Sequence, residues 1–382
     1  MAVPSCRHLK RRAALLETGR HHPKLHTMPT LPHPIINIQA LGFPWPTVDP
    51  FLFCVHHDDA YPAGNADMGP DVPLEGRQIG QDFSGLSGWS MYHGDTVPGF
   101  PSHPHRGFET VTIVRKGLID HADSLGAAAR FGGGDTQWLT AGSGVVHSEM
   151  FPLLDSTAPN PLELFQIWLN LPAAHKMVPA HFTMLWREKI PTLVSLDANG
   201  RTTQVAVIAG ELAGAGQPLS PPPDSWASQP GADVAVWTLR MASRAQFTLP
   251  PAQRDTRRNL YFFKGASLRI DSQTIAQHAA IELRGDAVVT LENSDVDSEF
   301  LMLQGRPIAE PVVQHGPFVM NTPAEIRQAI ADYQRTEFGG WPWPKTDPVH
   351  GHDPARFARH PDGREERPAA HVVDTTNLKE VT

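Results

Sequence analysis

Cysteine is almost absent: two in 382 residues, Cys6 and Cys54. Two thiols cannot build a disulfide framework, so stability must come from a packed core, and a reducing compartment such as the cytoplasm is expected. Long apolar runs are missing too. No stretch reaches the roughly 18 apolar residues a transmembrane helix needs, so no membrane partner is expected. A basic surplus is also lacking. Lys and Arg total 32 against 40 Asp and Glu, for a net charge of −8. That balance argues against direct nucleic-acid binding and leaves a protein partner open.

What the chain has in quantity is proline, glycine and histidine, at 37, 31 and 20 residues. The first two favour many turns and short strands over long helices. The length suits two domains, and 40% hydrophobic residues suffice for their cores. Strand-like segments are 109-ETVTIV-114, 136-TQWL-139 and 162-LELFQIWLNL-171, then 204–210, 234–241, 260–265, 279–293 and 299–305. In 162–171 both alternating faces carry apolar side chains, as expected for a strand inside a sandwich. One helix is signalled, by Thr322 as N-cap, Pro323 at the first turn and Glu325 beside it, with Gly339-Gly340 ending it. A weak internal repeat pairs 113-IVRKG-117 with 261-YFFKG-265 and Gly134-Asp135 with Gly285-Asp286.

These signals predict an all-β chain of two similar barrels. The expected limits are an N-terminal barrel over 29–185, a second barrel over 186–320, a helix over 321–340 and an extended tail over 341–382, poorly ordered past about 365. Residues 1–28 hold six basic residues and one acid, Glu17. They read as a disordered extension, or as sequence upstream of a true start at Met28, with a transit peptide as the alternative. His21, His22, His26, His33, His350, His352 and His360 lie in the tails and read as solvated, and His278 and His315 as ordinary histidines.

The chemistry concentrates in two short motifs. In extended chain, residues i and i+2 share a face, so 103-HPH-105 aims His103 and His105 at one point. Further on, 147-HSE-149 does the same with His147 and Glu149. Three nitrogens and one carboxylate suit a first-row metal: iron, manganese, nickel, zinc or copper. An octahedral ion with those four ligands keeps two positions for substrate and O₂. Pro104, turned away, would stiffen the backbone between two ligands. In the second barrel the matching positions fall near 251-PAQRDTRR-258 and 297-DSEF-300, where Asp297 stands for the histidine and the ligand set is lost. His56, His57, Asp58 and Asp59 are adjacent residues pointing to opposite faces, and read as surface or pocket-rim groups.

The motifs 103-HPHRGFETV-111, 134-GDTQWLTAGSGVVHSEM-150, 166-QIWLNLP-172 and 311-PVVQHGPFVMNT-322 resemble the pirin family, bicupins of the cupin superfamily, from about Asp49 to Gly339. The resemblance implies two facing β-barrels. It also implies a metal, usually Fe(II), in the first barrel, on the residues matching His103, His105, His147 and Glu149. Some pirins have quercetin 2,3-dioxygenase activity, and animal pirins act as nuclear, iron-dependent transcription cofactors. The chain departs from a minimal pirin in its tails and in 55-VHHDDAYPAGNADMGP-70, which reads as an insertion.

The function expected is therefore metal-dependent dioxygenation of a flavonol-like aromatic by O₂, with Glu149 as the catalytic base. The alternative is an iron-based redox sensor acting through a protein partner. Phe108, Trp138 and Met150 are candidates for the pocket wall, with core packing the competing reading. Asp135, Gln137 and Ser148 are candidates to orient the ligand imidazoles.

Overall fold

The computed structural model describes residues 33–368. The readings of residues 1–28, of Met28 as a start, and of the chain from 369 onward lie outside the described residues. Among the described residues, apart from one α-helix and short 3₁₀ turns, the regular structure is strand.

Four sheets stack as layers. The first unit pairs an outer six-stranded sheet with an inner five-stranded one. The inner sheet runs in the order His181–Leu185, Thr136–Thr140, Phe108–Lys116, Asn160–Asn170, Phe51–Tyr61. The second unit has a seven-stranded inner sheet around Arg257–Lys264 and Ser298–Gly305 and a four-stranded outer sheet. Each unit is thus a sandwich of two sheets rather than one closed hydrogen-bonded ring. Three apolar layers fill the gaps. Phe131, Leu139 and Leu164 pack inside the first unit, and Phe262, Leu268 and Met302 inside the second. Between the inner sheets lie Trp138, Phe165, Ile167, Tyr261 and Leu301. Strand Asn160–Asn170 serves two of these layers, which is why both its faces are apolar.

The two units share one strand order. Phe108–Lys116 sits between Thr136–Thr140 and Asn160–Asn170, as Arg257–Lys264 sits between Ala279–Arg284 and Ser298–Gly305. The Lys-Gly half of the sequence repeat is therefore structural. The Gly-Asp half is not. Gly134-Asp135 precedes Thr136–Thr140, whereas Gly285-Asp286 follows the matching strand and splits 279–293 into Ala279–Arg284 and Val289–Asn293.

Segments flanking the two units cross between them. The N-terminal strand Ile35–Ala40 pairs with Ala279–Arg284 of the second unit. Beyond the second unit, Arg106 next to the histidine motif donates from Nη1 to Asp332 of the helix at 2.8 Å, and its guanidinium lies 4.5 Å over the Phe338 ring. Gly107, at φ +85, lets the Val319 carbonyl approach to where a Cβ would be 2.0 Å away. The buried Lys176 ammonium donates to Gly107, Asn170 and Val319 at 2.8–3.1 Å. The helix spans Pro323–Thr336 with the expected Thr322 N-cap, which Glu325 completes as a capping box, but ends at Glu337, which takes a left-handed φ of 47 before the glycines are reached.

Two expectations change here. The segment after the helix does not trail away: Phe357–Arg359 adds a strand beside Ala128–Arg130. His350 and His360 are accordingly packed rather than solvated: the His350 ring bonds the His121 carbonyl, and His360 bonds Glu366. The stretch 55–70 begins as regular strand, since 55–61 belongs to Phe51–Tyr61, in register with Asn160–Asn170; only 62–70 is loop.

Candidate metal centre and its cavity

Gly99–His105 is the edge strand of the outer sheet of the first unit, paired with Val145–Met150. The register sets His103 opposite His147. Pro104 faces Val146, whose backbone N–H and C=O bond Ser124 instead. Pro104 therefore breaks no ladder bond, the position an edge strand allows to proline.

The three imidazoles meet at ring-centroid distances of 4.4 Å (His103–His147), 4.8 Å (His103–His105) and 4.8 Å (His105–His147). One nitrogen from each lies within 4.8 Å of the others. The His103 Nδ1–H donates to the Pro101 carbonyl at 2.8 Å, which leaves Nε2 unprotonated for a ligand. Burial pushes His103 down to about 4, and His105 and His147 well below the ordinary value, so all three are neutral, the form that binds metal.

The donor set fits a metal ion on its own terms. His147 is fully buried, yet among the described residues neither of its ring nitrogens has a protein partner, and His105 Nδ1 has none. Burying unpaired polar atoms is unfavourable unless something satisfies them. Glu149 lines the same cavity but turns aside from the cluster. Its Oε2 accepts from Gln166 Nε2 at 3.2 Å, and its Oε1 lies 3.0 Å from the Thr112 hydroxyl. Burial raises its pKa, with His121 and the bonds from Thr112 and Gln166 opposing.

The cluster sits at one side of a cavity of about 530 Å³, a size usual for small-molecule sites. Its wall is aromatic, with Phe53, Phe100, Phe151 and Trp168. Phe43 and Phe83 line it while 64% and 49% exposed, so they stand at its mouth.

Residues 39–169 match the family model described as Pirin, and residues 236–339 match the Pirin C-terminal cupin domain. The chain is 33% identical to human pirin over 261 residues, covering 65% of this chain and 80% of that one. It is 36% identical to Pirin-1 of Arabidopsis thaliana over 243 residues, 63% and 78% of the two chains. The chain belongs to the pirin family. As in the family models, this pirin has an N-terminal and a C-terminal cupin domain, and the histidine cluster lies in the first. The crystal structure of quercetin 2,3-dioxygenase from Acinetobacter baumannii overlays on it with a TM-score of 0.60, at 27% identity, over 81% of this chain and 96% of that one.

Within this pirin the other expected site residues separate. Phe108, Trp138 and Met150 are fully buried in packing and are not part of the cavity wall. The Asp135 carboxylate holds loops, accepting from Gly132, Arg187 and Arg356. Gln137 and Ser148 are buried with no partner for their side chains, so neither orients a ligand histidine. That work falls to the Pro101 carbonyl, and the carboxylate is held by Thr112 and Gln166. His56 bonds Glu163 at 3.3 Å, while His57 is buried in the cavity wall.

The second-unit correspondence is corrected. Strand pairing makes Gln246–Leu249 and Val289–Asn293 the counterparts of Gly99–His105 and Val145–Met150. Asp297 instead accepts from the Ser243 backbone at 3.0 Å, outside those strands. The buried positions of the true counterparts are Phe247, Leu249, Val289 and Leu291 in the apolar core, and Asn293, whose Nδ2 donates to the backbone carbonyls of Met241, Ala242 and Val296.

No helix among the described residues is long and apolar enough to cross a membrane.

Proposed function

We propose that this pirin is a metal-dependent dioxygenase whose first cupin unit holds Fe(II) on His103, His105, His147 and Glu149, with Mn, Ni, Zn or Cu as substitutes in the same ligand set. The substrate is a planar, hydroxylated aromatic of the flavonol class, such as quercetin, and O₂ is the co-substrate. The observation that carries this reading is three neutral imidazoles, two buried and one half-buried, converging beside an aromatic-walled cavity. Held by these residues, such an ion would supply Lewis acidity that lowers the pKa of a substrate hydroxyl.

The chain's own residues supply the rest. Phe53, Phe100 and Trp168 offer flat apolar surface to an aromatic ring and exclude water from it. Glu149 Oε2, released from Gln166, takes the proton of the substrate hydroxyl; a carboxyl raised by burial is suited to hold it. A reducing compartment such as the cytoplasm fits the buried free thiol of Cys54.

The test is O₂ uptake and carbon monoxide release with quercetin and Fe(II)-loaded protein. Catalytic turnover supports the reading. No uptake with any flavonol, together with partner binding that follows the iron oxidation state, replaces it with a redox-sensing regulatory role.

A further inference from the structure

A second polar group faces the cavity away from the histidine cluster, and the metal site does not use it. His57, on strand Phe51–Tyr61, lines the cavity, and the Phe100 ring lies beside both it and His103, at 6.1 and 6.4 Å between centroids. Behind His57 runs a buried chain of bonds. Asp59 Oδ1 accepts from the Ser90 N–H at 3.0 Å, and Asp59 Oδ2 accepts from the Tyr92 hydroxyl at 2.8 Å. The Tyr92 proton is thereby committed, so its oxygen accepts from His57 Nδ1–H at 2.7 Å. Burial, and secondly His56, keep the His57 ring neutral, with its pKa down to about 4. A neutral ring protonated on Nδ1 has an acceptor lone pair on Nε2. Among the described residues, no protein group bonds that nitrogen.

The chain of bonds is held at a cost. Tyr92 adopts a left-handed φ of 56, a conformation unfavourable for a bulky side chain, and isolated bridges to Asp82 and Gly99 pin it there. Strain of this kind concentrates where a side chain must be aimed.

We propose that His57 Nε2 accepts a hydrogen bond from a phenolic hydroxyl of the aromatic ligand, separate from the hydroxyl that meets the metal site, with Tyr92 and Asp59 as positioning residues that fix the tautomer. The cavity thereby selects polyhydroxylated aromatics over less hydroxylated ones of the same shape. The proposal rests on the flavonol reading for its ligand class.

The test uses metal-loaded, full-length protein under anaerobic conditions, so that binding is measured without turnover. The probes are quercetin and 3-hydroxyflavone. Both keep the 3-hydroxyl and 4-ketone, and only quercetin has further ring hydroxyls. Wild type is expected to prefer quercetin by about tenfold, the scale of one buried hydrogen bond. His57→Phe should erase that preference by weakening quercetin alone, with metal content unchanged. His57→Gln, which keeps an acceptor, should retain most of it, and Tyr92→Phe should lose part. Should His57→Phe fail to fold, His57→Gln and Tyr92→Phe still decide.

Equal weakening of both probes, an undiminished preference in His57→Phe and Tyr92→Phe, or no binding of either probe to wild type overturns the proposal. Parallel aerobic assays separate it from the parent reading. His57-dependent preference without turnover overturns only the dioxygenase, and turnover with His57-independent binding overturns only this subsite.

Discussion

The two cupin units use the same pair of strands in opposite ways. In the first, Gly99–His105 and Val145–Met150 turn His103, His105, His147 and Glu149 toward the interior, and a cavity remains beside them. In the second, Gln246–Leu249 and Val289–Asn293 bury Phe247, Leu249, Val289 and Leu291. The scaffold tolerates either filling. A close-packed apolar interior stabilises a unit by burial. An interior of imidazoles and a carboxylate gains little that way and offers donor atoms to a ligand instead. One unit thus supplies rigidity and the other a site, joined through the layer around Trp138, Phe165 and Tyr261.

The strongest way to break this comparison is to give the first unit the filling of the second. Replacing His103, His105 and His147 with Phe, Leu and Leu should abolish metal binding and reduce turnover to background. The protein should still fold, because the change removes buried imidazole nitrogens that have no protein partner. Circular dichroism and elemental analysis check both halves. Next in size, Glu149→Gln keeps the volume and removes the base, so turnover should fall by about 10²–10⁴; a smaller loss in single-turnover kinetics would remove Glu149 from the proton path.

Smaller effects sharpen the contrast from the other side. Leu291→Ala opens a hole in the second core and should destabilise by about 2–5 kcal/mol in denaturant titration, with metal content unchanged. Loss of metal there would show that the units are not separable. The least effect is expected where the units meet. Arg115 bridges Glu163 of the first unit and Glu299 of the second. Burial favours the neutral form of Glu163, but His56, Lys116 and Arg115 outweigh it and hold its pKa down to about 2, below the ordinary 4.5. A carboxyl depressed in the folded state stabilises above its ordinary pKa, and that stabilisation is lost as pH falls from about 4.5 toward 2. Glu163→Gln should therefore lower Tm at pH 7, and the gap to wild type should shrink across that acid range.

The convergence of the histidine motifs was legible because strand geometry is local. Spacing of two residues places His103 with His105, and His147 with Glu149, on shared faces, and the register then sets His103 against His147. What it could not show was the direction of Glu149, which depends on Thr112 and Gln166 from two other strands. The cavity wall was equally hidden. Phe83 comes from a stretch with no strand periodicity, as does Tyr92 behind the wall, and Phe43 comes from the turn after a strand that belongs to the other unit. The Gly-Asp match misled because the same dipeptide suits different turns, before one strand and after its counterpart. The strand Phe357–Arg359 is three residues long, too short for any periodic signal, and forms by pairing with a strand far earlier in the chain, where Ala358 meets Ala129.

The central claim is that one unit is a metal site and the other is not. Elemental analysis of the purified full-length protein after Fe(II) loading and desalting tests it most directly. The account predicts one ion per chain in wild type and none in His147→Ala. Two ions per chain, or one ion retained by His147→Ala and by His103→Ala alike, would contradict it.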